Sequence, residues 1–276
     1  MKLITSLLVL FSVIPILSGQ TWIRQNPFPK LAEFQAIAFD DQHGIAVGNE
    51  STIVTTSNGG VNWIPRKAPF EESLFQTALV VPGTSGQLMF AGGYQLIVSR
   101  DGGITWNLTS ASTQLVHTIQ ALPDGTIIVL DSDKGLISKD NGESWQDFQM
   151  PGSFTSAGYF TSEMNGWVVY GGFENNQVWV TTDGGETWNL RDPLKHPVVS
   201  EIFMKDNLNG YLASRDYVYA TSDGGNTWIK MHDNPVNSIL DMHIVNTLEI
   251  WTCLHNGFIF YTLDGGNQWH EINPNI

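Results

Sequence analysis

From Phe34 onward the chain alternates short apolar runs with clusters of Gly, Asn, Asp and Ser. "FQAIAFD", "GIAVG" and "TIVTT" come first, then "FQTALVV", "LMFAGG" and "QLIVS", and later "SEIFMK", "EIWTCL" and "FIFYT". β-Branched and aromatic residues bounded by turn formers are the signature of short strands joined by tight turns. No stretch carries the 3.6-residue apolar period of an amphipathic helix. The pattern predicts an all-β protein.

The turns repeat. Six copies read Ser/Thr, any residue, Asp, any residue, Gly, two more, Trp. They begin at Thr56, Ser99, Ser138, Thr181, Thr221 and Thr262, and end at Trp63, Trp106, Trp145, Trp188, Trp228 and Trp269. The third position is Asp101, Asp140, Asp183, Asp223 and Asp264, with Asn58 in the first copy. The tryptophans are spaced 43, 39, 43, 40 and 41 residues apart. A period near 40 in a strand-rich chain predicts a β-propeller with one four-stranded antiparallel blade per repeat. Six units run from about Phe34 to Ile272. Thr21-Trp22-Ile23-Arg24 repeats the end of the pattern 41 residues before Trp63. Six blades are expected, with an incomplete seven-bladed ring as the alternative.

The repeated residues are expected to build structure. The Asp carboxylate accepts backbone N–H bonds from the residues after it, and the Gly takes the positive φ that the turn needs. The Ser/Thr hydroxyl can bond across the loop. The Trp begins the outer strand and buries a large area over the turn. Five Asp and one Asn in equivalent places are not the signature of one catalytic carboxylate.

Residues 1–19 read as a signal peptide: Lys2, an apolar run from Leu3 to Leu17, then small polar residues. Residues 20–276 then form a single propeller domain, placed outside the cytoplasm as a secreted or cell-envelope protein. No other segment is apolar and long enough to span a membrane, and no Cys follows the apolar run to carry a lipid. Without the leader, 12 basic side chains face 27 acidic ones. That balance repels phosphate backbones and excludes nucleic acid as a partner. Cys253 is the lone cysteine, so no internal disulfide can form; its apolar surroundings "EIWTCLHNG" predict a small core residue.

The turn motif resembles the Asp box, or bacterial neuraminidase repeat, of sialidases and sortilin-type propellers. The longer units "NGWVVYGGFENNQVWVTTDGGETW" and "HGIAVGNESTIVTTSNGGVNW" look like the photosystem II assembly and stability factor family of propellers. That resemblance implies a non-catalytic scaffold holding a protein or peptide. The family's arginine-rich patch has no counterpart among the five arginines here, at 24, 66, 100, 191 and 215. Resemblance to sialidases would imply an arginine triad, a Tyr/Glu nucleophile pair and an acid Asp. No Phe-Arg-Ile-Pro type segment occurs, and Arg100 sits inside a turn motif.

A ligand is expected on the face that carries the second-to-third loops and the blade-to-blade connections. Candidate binding residues there are Arg66, Lys67, Arg191, Lys195 and His196 in connections, and Tyr170, Phe173, Arg215 and Tyr217 in loops. Basic side chains interleaved with aromatics suit a peptide or a glycan. No catalytic residue, cofactor or metal site is expected. The seven His lack ligand spacing, and "DSDKG" at Asp131 begins like a calcium loop but has Gly142 where the bidentate Glu belongs. A carbohydrate-active propeller, sialidase-like or lectin, is the alternative.

Overall fold

The computed structural model describes residues 33–152, 155–171, 176–191, 199–215, 217–232, 239–246 and 248–273. Residues 1–19, expected to be a signal peptide, and Thr21–Arg24 lie outside them. Blade 1 comprises β1 (Phe34–Asp40), β2 (His43–Gly48), β3 (Ile53–Thr56) and β4 (Ile64–Arg66). Blade 2 holds β5 (Phe75–Val80), β6 (Met89–Gly93), β7 (Leu96–Ser99) and β8 (Asn107–Leu108). Blade 3 holds β9 (Val116–Ala121), β10 (Ile127–Asp131), β11 (Lys134–Ser138) and β12 (Gln146–Gln149). Blade 4 holds β13 (Thr155–Phe160), β14 (Gly166–Tyr170), β15 (Gln177–Thr181) and β16 (Asn189–Leu190). Blade 5 holds β17 (Val199–Met204), β18 (Gly210–Ser214), β19 (Val218–Thr221) and β20 (Ile229–Lys230). Blade 6 holds β21 (Ile239–Ile244), β22 (Ile250–Leu254), β23 (Ile259–Thr262) and β24 (His270–Ile272).

Each blade is an antiparallel meander in sequence order, so the protein is a six-bladed β-propeller, as the repeat predicts. No helix occurs among the described residues. The outer strands are shorter than the sequence suggests. In blade 4 pairing covers only Asn189 and Leu190, and Trp188 precedes the strand instead of beginning it.

Every first strand has an irregularity after its first paired residue, between Phe34 and Ala36 in blade 1 and between Val199 and Glu201 in blade 5. An extra residue raises local twist and bends a strand. Repeated in all six blades, it turns each inner strand at the same height.

The turn motif is built as one network. Thr181 Oγ1 is fully buried, accepts from Gly185 N at 2.8 Å and donates to Asp183 Oδ1 at 2.7 Å. Asp183 Oδ1 accepts from Thr187 N at 2.9 Å, and Asp183 Oδ2 takes the Thr187 hydroxyl. The other five copies repeat the hydroxyl-to-carbonyl or -carboxylate bond and the amide bond that closes it; Asn58 serves through Oδ1 at 2.9 Å from Asn62 N. Gly184 and Gly185 have φ of 75° and 90°, the left-handed region. The tryptophans differ in use. Trp106 and Trp228 are buried, and Trp106 Nε1 donates to its own turn at Gly103 O, 3.1 Å. Trp188 Nε1 instead reaches Gln149 O of the preceding blade at 2.8 Å.

Blades pack face to face through five apolar cores. They join blades 1 and 2, 2 and 3, 3 and 4, 4 and 5, and 5 and 6. Cys253 departs from the expected core position. It lies on β22 opposite Asp241, on the side turned away from blade 5, and is exposed.

The turn network sets two expectations. Thr181→Ala leaves Gly185 N–H buried without its acceptor, and should cost about 1–3 kcal/mol in urea unfolding. Hydrogen bonds from the Thr187 hydroxyl, the Thr187 N–H and the Thr181 hydroxyl hold Asp183 down to about 2 from 3.8, and Asp140 is likewise at about 2. A carboxyl lowered on folding contributes stability above its unfolded pKa, and loses it as pH falls to the folded one. The urea midpoint should therefore drop between about pH 4 and pH 2, less steeply in Asp183→Asn. An unchanged acid limb in that variant would contradict the network.

Candidate functional site

Antiparallel meanders put the second-to-third loops and the blade connections on one face of the disc. Arg66 closes β4 on that face, and its Nε donates to Thr55 Oγ1 at 2.8 Å. The bond fixes the side chain along blade 1 and leaves the terminal nitrogens able to donate. Arg66 and Lys67 enter a groove of about 740 Å³ with Phe70 and the carboxylates of Glu50, Glu71 and Glu72. Glu50, Ser51 and Glu72 each have positive φ near 55°, so the groove's rim is formed by tight backbone turns. The loop is tied across by Ser51 N to Ser73 O at 2.7 Å and Ser73 N to Ser51 Oγ at 2.9 Å.

The other candidates gather elsewhere. Arg191 Nη1 donates to Asn226 Oδ1 at 2.9 Å, bracing blade 4 against the turn motif of blade 5. Arg215 is exposed in the second-to-third loop of blade 5. Tyr217 sits two residues on, half-buried, with Lys230 Nζ 4.2 Å from its ring centroid. Its ring also meets His232 at 5.5 Å, and His232 continues to Phe260 and Trp269, each at 5.4 Å. That chain of rings lies between blades 5 and 6 and serves packing as much as display. Arg66 and Arg191 are thus held in different blades by different partners, and the three arginines form no single carboxylate clamp. Lys195, His196 and Phe173 lie outside the described residues.

Tyr170 ends β14 on the loop face. Burial and the nearby Asp133 charge push its hydroxyl upward. The "DSDKG" segment has a backbone role. Asp131 is fully buried and accepts from Gln114 N at 2.8 Å, Leu115 N at 2.6 Å and Ser132 N at 2.7 Å. It clamps the connection entering blade 3. Asp133 takes Gln114 Nε2 at 2.9 Å. A carboxylate satisfied by three amides is a structural anchor and not a cation ligand. Among the described residues no group of His, Cys, Asp or Glu is arranged to hold a metal.

Sequence reasoning missed a second cavity. About 450 Å³ opens at the opposite mouth of the channel, between the ends of the inner strands of blades 2 to 5. Gln120, Tyr159, Phe160 and Lys205 line it. Gln120 spans two inner strands, donating to Phe160 O at 2.7 Å and accepting from Phe160 N at 2.9 Å. The signal was present as a polar residue inside the strand "VHTIQA", but nothing in one repeat shows which blade ends converge. Glu201 was missed for the same reason. It lies on β17 facing blade 6, where burial, and then the Asp241 charge, push it up to about 8 against the pull of the Ile202 N–H.

Residues 17–148 match the family model described as Photosynthesis system II assembly factor YCF48, and residues 179–190 match the BNR/Asp-box repeat. The Photosystem II assembly lipoprotein Ycf48 of Synechococcus sp. (strain CC9902) is 27% identical over 193 residues, covering 67% of this chain and 57% of that protein. The match therefore spans under two thirds of the relative's length. Among solved structures, YCF48 bound to D1 peptide superposes with a TM-score of 0.72 at 17% identity, over 92% of this chain and 85% of that one. YCF48 from Cyanidioschyzon merolae gives 0.67 at 18% identity, over 90% and 87%. The likeness to these structures is one of fold.

Glu201 yields a pH expectation. A carboxyl raised on folding costs stability as pH climbs from its unfolded pKa through the folded value, because the unfolded chain releases the proton first. Glu201→Gln should raise the urea midpoint at pH 8 and change it little at pH 4. An equal effect at both pH values would place the carboxyl in solvent.

Proposed function

We propose that this chain is an exported, non-catalytic propeller that holds an extended peptide or a protein segment on its loop face, in the manner of an assembly scaffold. The groove at Arg66 and Lys67 carries the reading. It combines a hydrophobic contact at Phe70 with two donors and three carboxylates. Such a mixture suits a backbone of alternating N–H and C=O groups better than a single anion, which Glu50, Glu71 and Glu72 would repel.

The comparisons support a peptide partner, since a solved relative is described as bound to D1 peptide. They also support a place at the cell envelope, since the curated relative is a lipoprotein. Residues 1–19 would direct export, and residues 20–276 would form the one domain delivered. Arg215 and Tyr217 offer a second contact area for a longer ligand. Of the arginines that a sialidase-like site would need, Arg191 is engaged by Asn226.

The test is a fluorescence-anisotropy screen of labelled twelve-residue peptides against the purified protein, beside a glycan array. Peptide binding that weakens about tenfold or more in Arg66→Ala/Lys67→Ala is expected, the loss of a principal contact. Glycan binding with no peptide bound, or peptide binding indifferent to that double variant, would overturn the proposal.

A further inference from the structure

The cavity at the channel mouth opposite the loop face holds about 450 Å³, within the roughly 300–1,000 Å³ of small-molecule sites. Its wall takes residues from blades 2, 3, 4 and 5. Blades 3 and 4 stand between blades 2 and 5, so a cavity touching both lies across the axis of the disc. Its rim is one structural position used four times. The residue after each first strand gives its N–H across the turn: Val81 to Leu88 O at 3.0 Å, Leu122 to Thr126 O at 2.8 Å, Thr161 to Asn165 O at 3.0 Å and Lys205 to Asn209 O at 2.8 Å. These bonds close the turns, so the rim is shaped before any ligand arrives.

The four positions divide by polarity. Blades 2 and 3 supply Val81 and Leu122, each followed by a proline, and blades 4 and 5 supply Thr161 and Lys205. One step inside the rim, Gln120 and Tyr159 take the strand position that Leu79 has in blade 2 and Phe203 in blade 5. The donors here are free. Among the described residues, the Tyr159 hydroxyl and Lys205 Nζ have no hydrogen-bond or salt-bridge partner. Gln120 Nε2 gives one hydrogen to Phe160 O and keeps the second. Among the described residues no carboxylate lines the cavity. The acids of the same turns are engaged locally. Asp124 accepts from Thr126 N at 2.9 Å, and Asp206 from Leu208 N at 2.8 Å and Asn209 N at 2.7 Å. Glu163 takes the Thr126 hydroxyl and the Lys139 ammonium. In a chain of formal net charge −14, this mouth presents donors and an ammonium instead of acids.

We propose that this cavity binds a small organic acid with one carboxylate and an apolar body. The carboxylate is held by Lys205, Tyr159 and Gln120, and the body lies against Val81, Leu122 and Met204. One ammonium and two neutral donors balance a single negative charge. A dianion would keep uncompensated charge beside apolar walls. A cation finds no carboxylate here, and a neutral ligand gains nothing from the ammonium, so the site discriminates by charge. The cavity lies on the face opposite the Arg66 groove, and neither reading depends on the other.

Isothermal titration of the full chain with phenylacetate, hexanoate and the neutral phenylacetamide tests the proposal. Both acids should bind with a Kd of about 1 mM or tighter, the range open to ligands of this size. Phenylacetamide should bind about tenfold more weakly, since it lacks the charge-assisted bond to Lys205. Lys205→Met should bring phenylacetate down to the affinity of the amide. Pro82→Glu, which sets a like charge on the opposite rim, should weaken phenylacetate about tenfold. Lys205 and Pro82 are both exposed, so neither change should move the urea midpoint. Arg66→Ala/Lys67→Ala should leave phenylacetate binding unchanged. Equal affinity for acid and amide would overturn the proposal, as would the absence of binding by either acid at about ten times that Kd. So would acid binding that survives both Lys205→Met and Pro82→Glu, or that is lost in Arg66→Ala/Lys67→Ala, since the acid would then sit in the loop-face groove.

Discussion

A propeller blade is a twisted sheet with two apolar faces, and both must be covered by neighbours. Everything else in this molecule follows from that requirement. The runs Ile45–Val47, Met89–Ala91 and Ile127–Leu130 are apolar throughout, because second strands lie deepest between blades and have no solvent side. Such strands read as continuous hydrophobic runs for the reason buried sheets generally do. The terminal blades show the requirement by its lapse: Ile37, Phe39 and Cys253 are exposed where equivalent positions of inner blades are covered.

The turn motif serves the same end on a local scale. A third strand must hand over to a short outer strand without leaving buried donors unpaired. The Ser or Thr at the head of the motif meets this need, being buried in all six copies and taking the Gly amide each time. Its hydroxyl then donates to the Asp or Asn, which caps the amide four residues further on. Because the network closes within eight residues, it recurs with little regard to the blade around it. The tryptophans, which reach beyond the turn, vary from blade to blade.

Chemistry is spread thinly over this scaffold. Several charged side chains brace the scaffold: Asp131 clamps a connection, Arg191 reaches the next blade, and Lys134 pairs with Asp147 at 2.8 Å. The groove at Arg66 and Lys67 differs in keeping donors, carboxylates and an aromatic around open space. A rigid disc with a few such grooves is suited to holding a partner in register.

The sequence by itself determined the class, the repeat length, the number of four-stranded units and the atoms of each turn, because these depend on contacts within about eight residues or on a period of about forty. It placed β1 at Phe34–Asp40 to the residue. It misjudged Cys253, because apolar neighbours along a strand do not say which face of the sheet a side chain takes. The tertiary structure decided that Arg66 and Lys67 share a groove with Glu50, across the blade from β4. It also decided that Gln120 bridges to Phe160 and that Glu201 meets the charge of Asp241. These pairs stand one repeat apart or more, or join separate loops. They are brought together by the angle between successive blades, which no single repeat encodes.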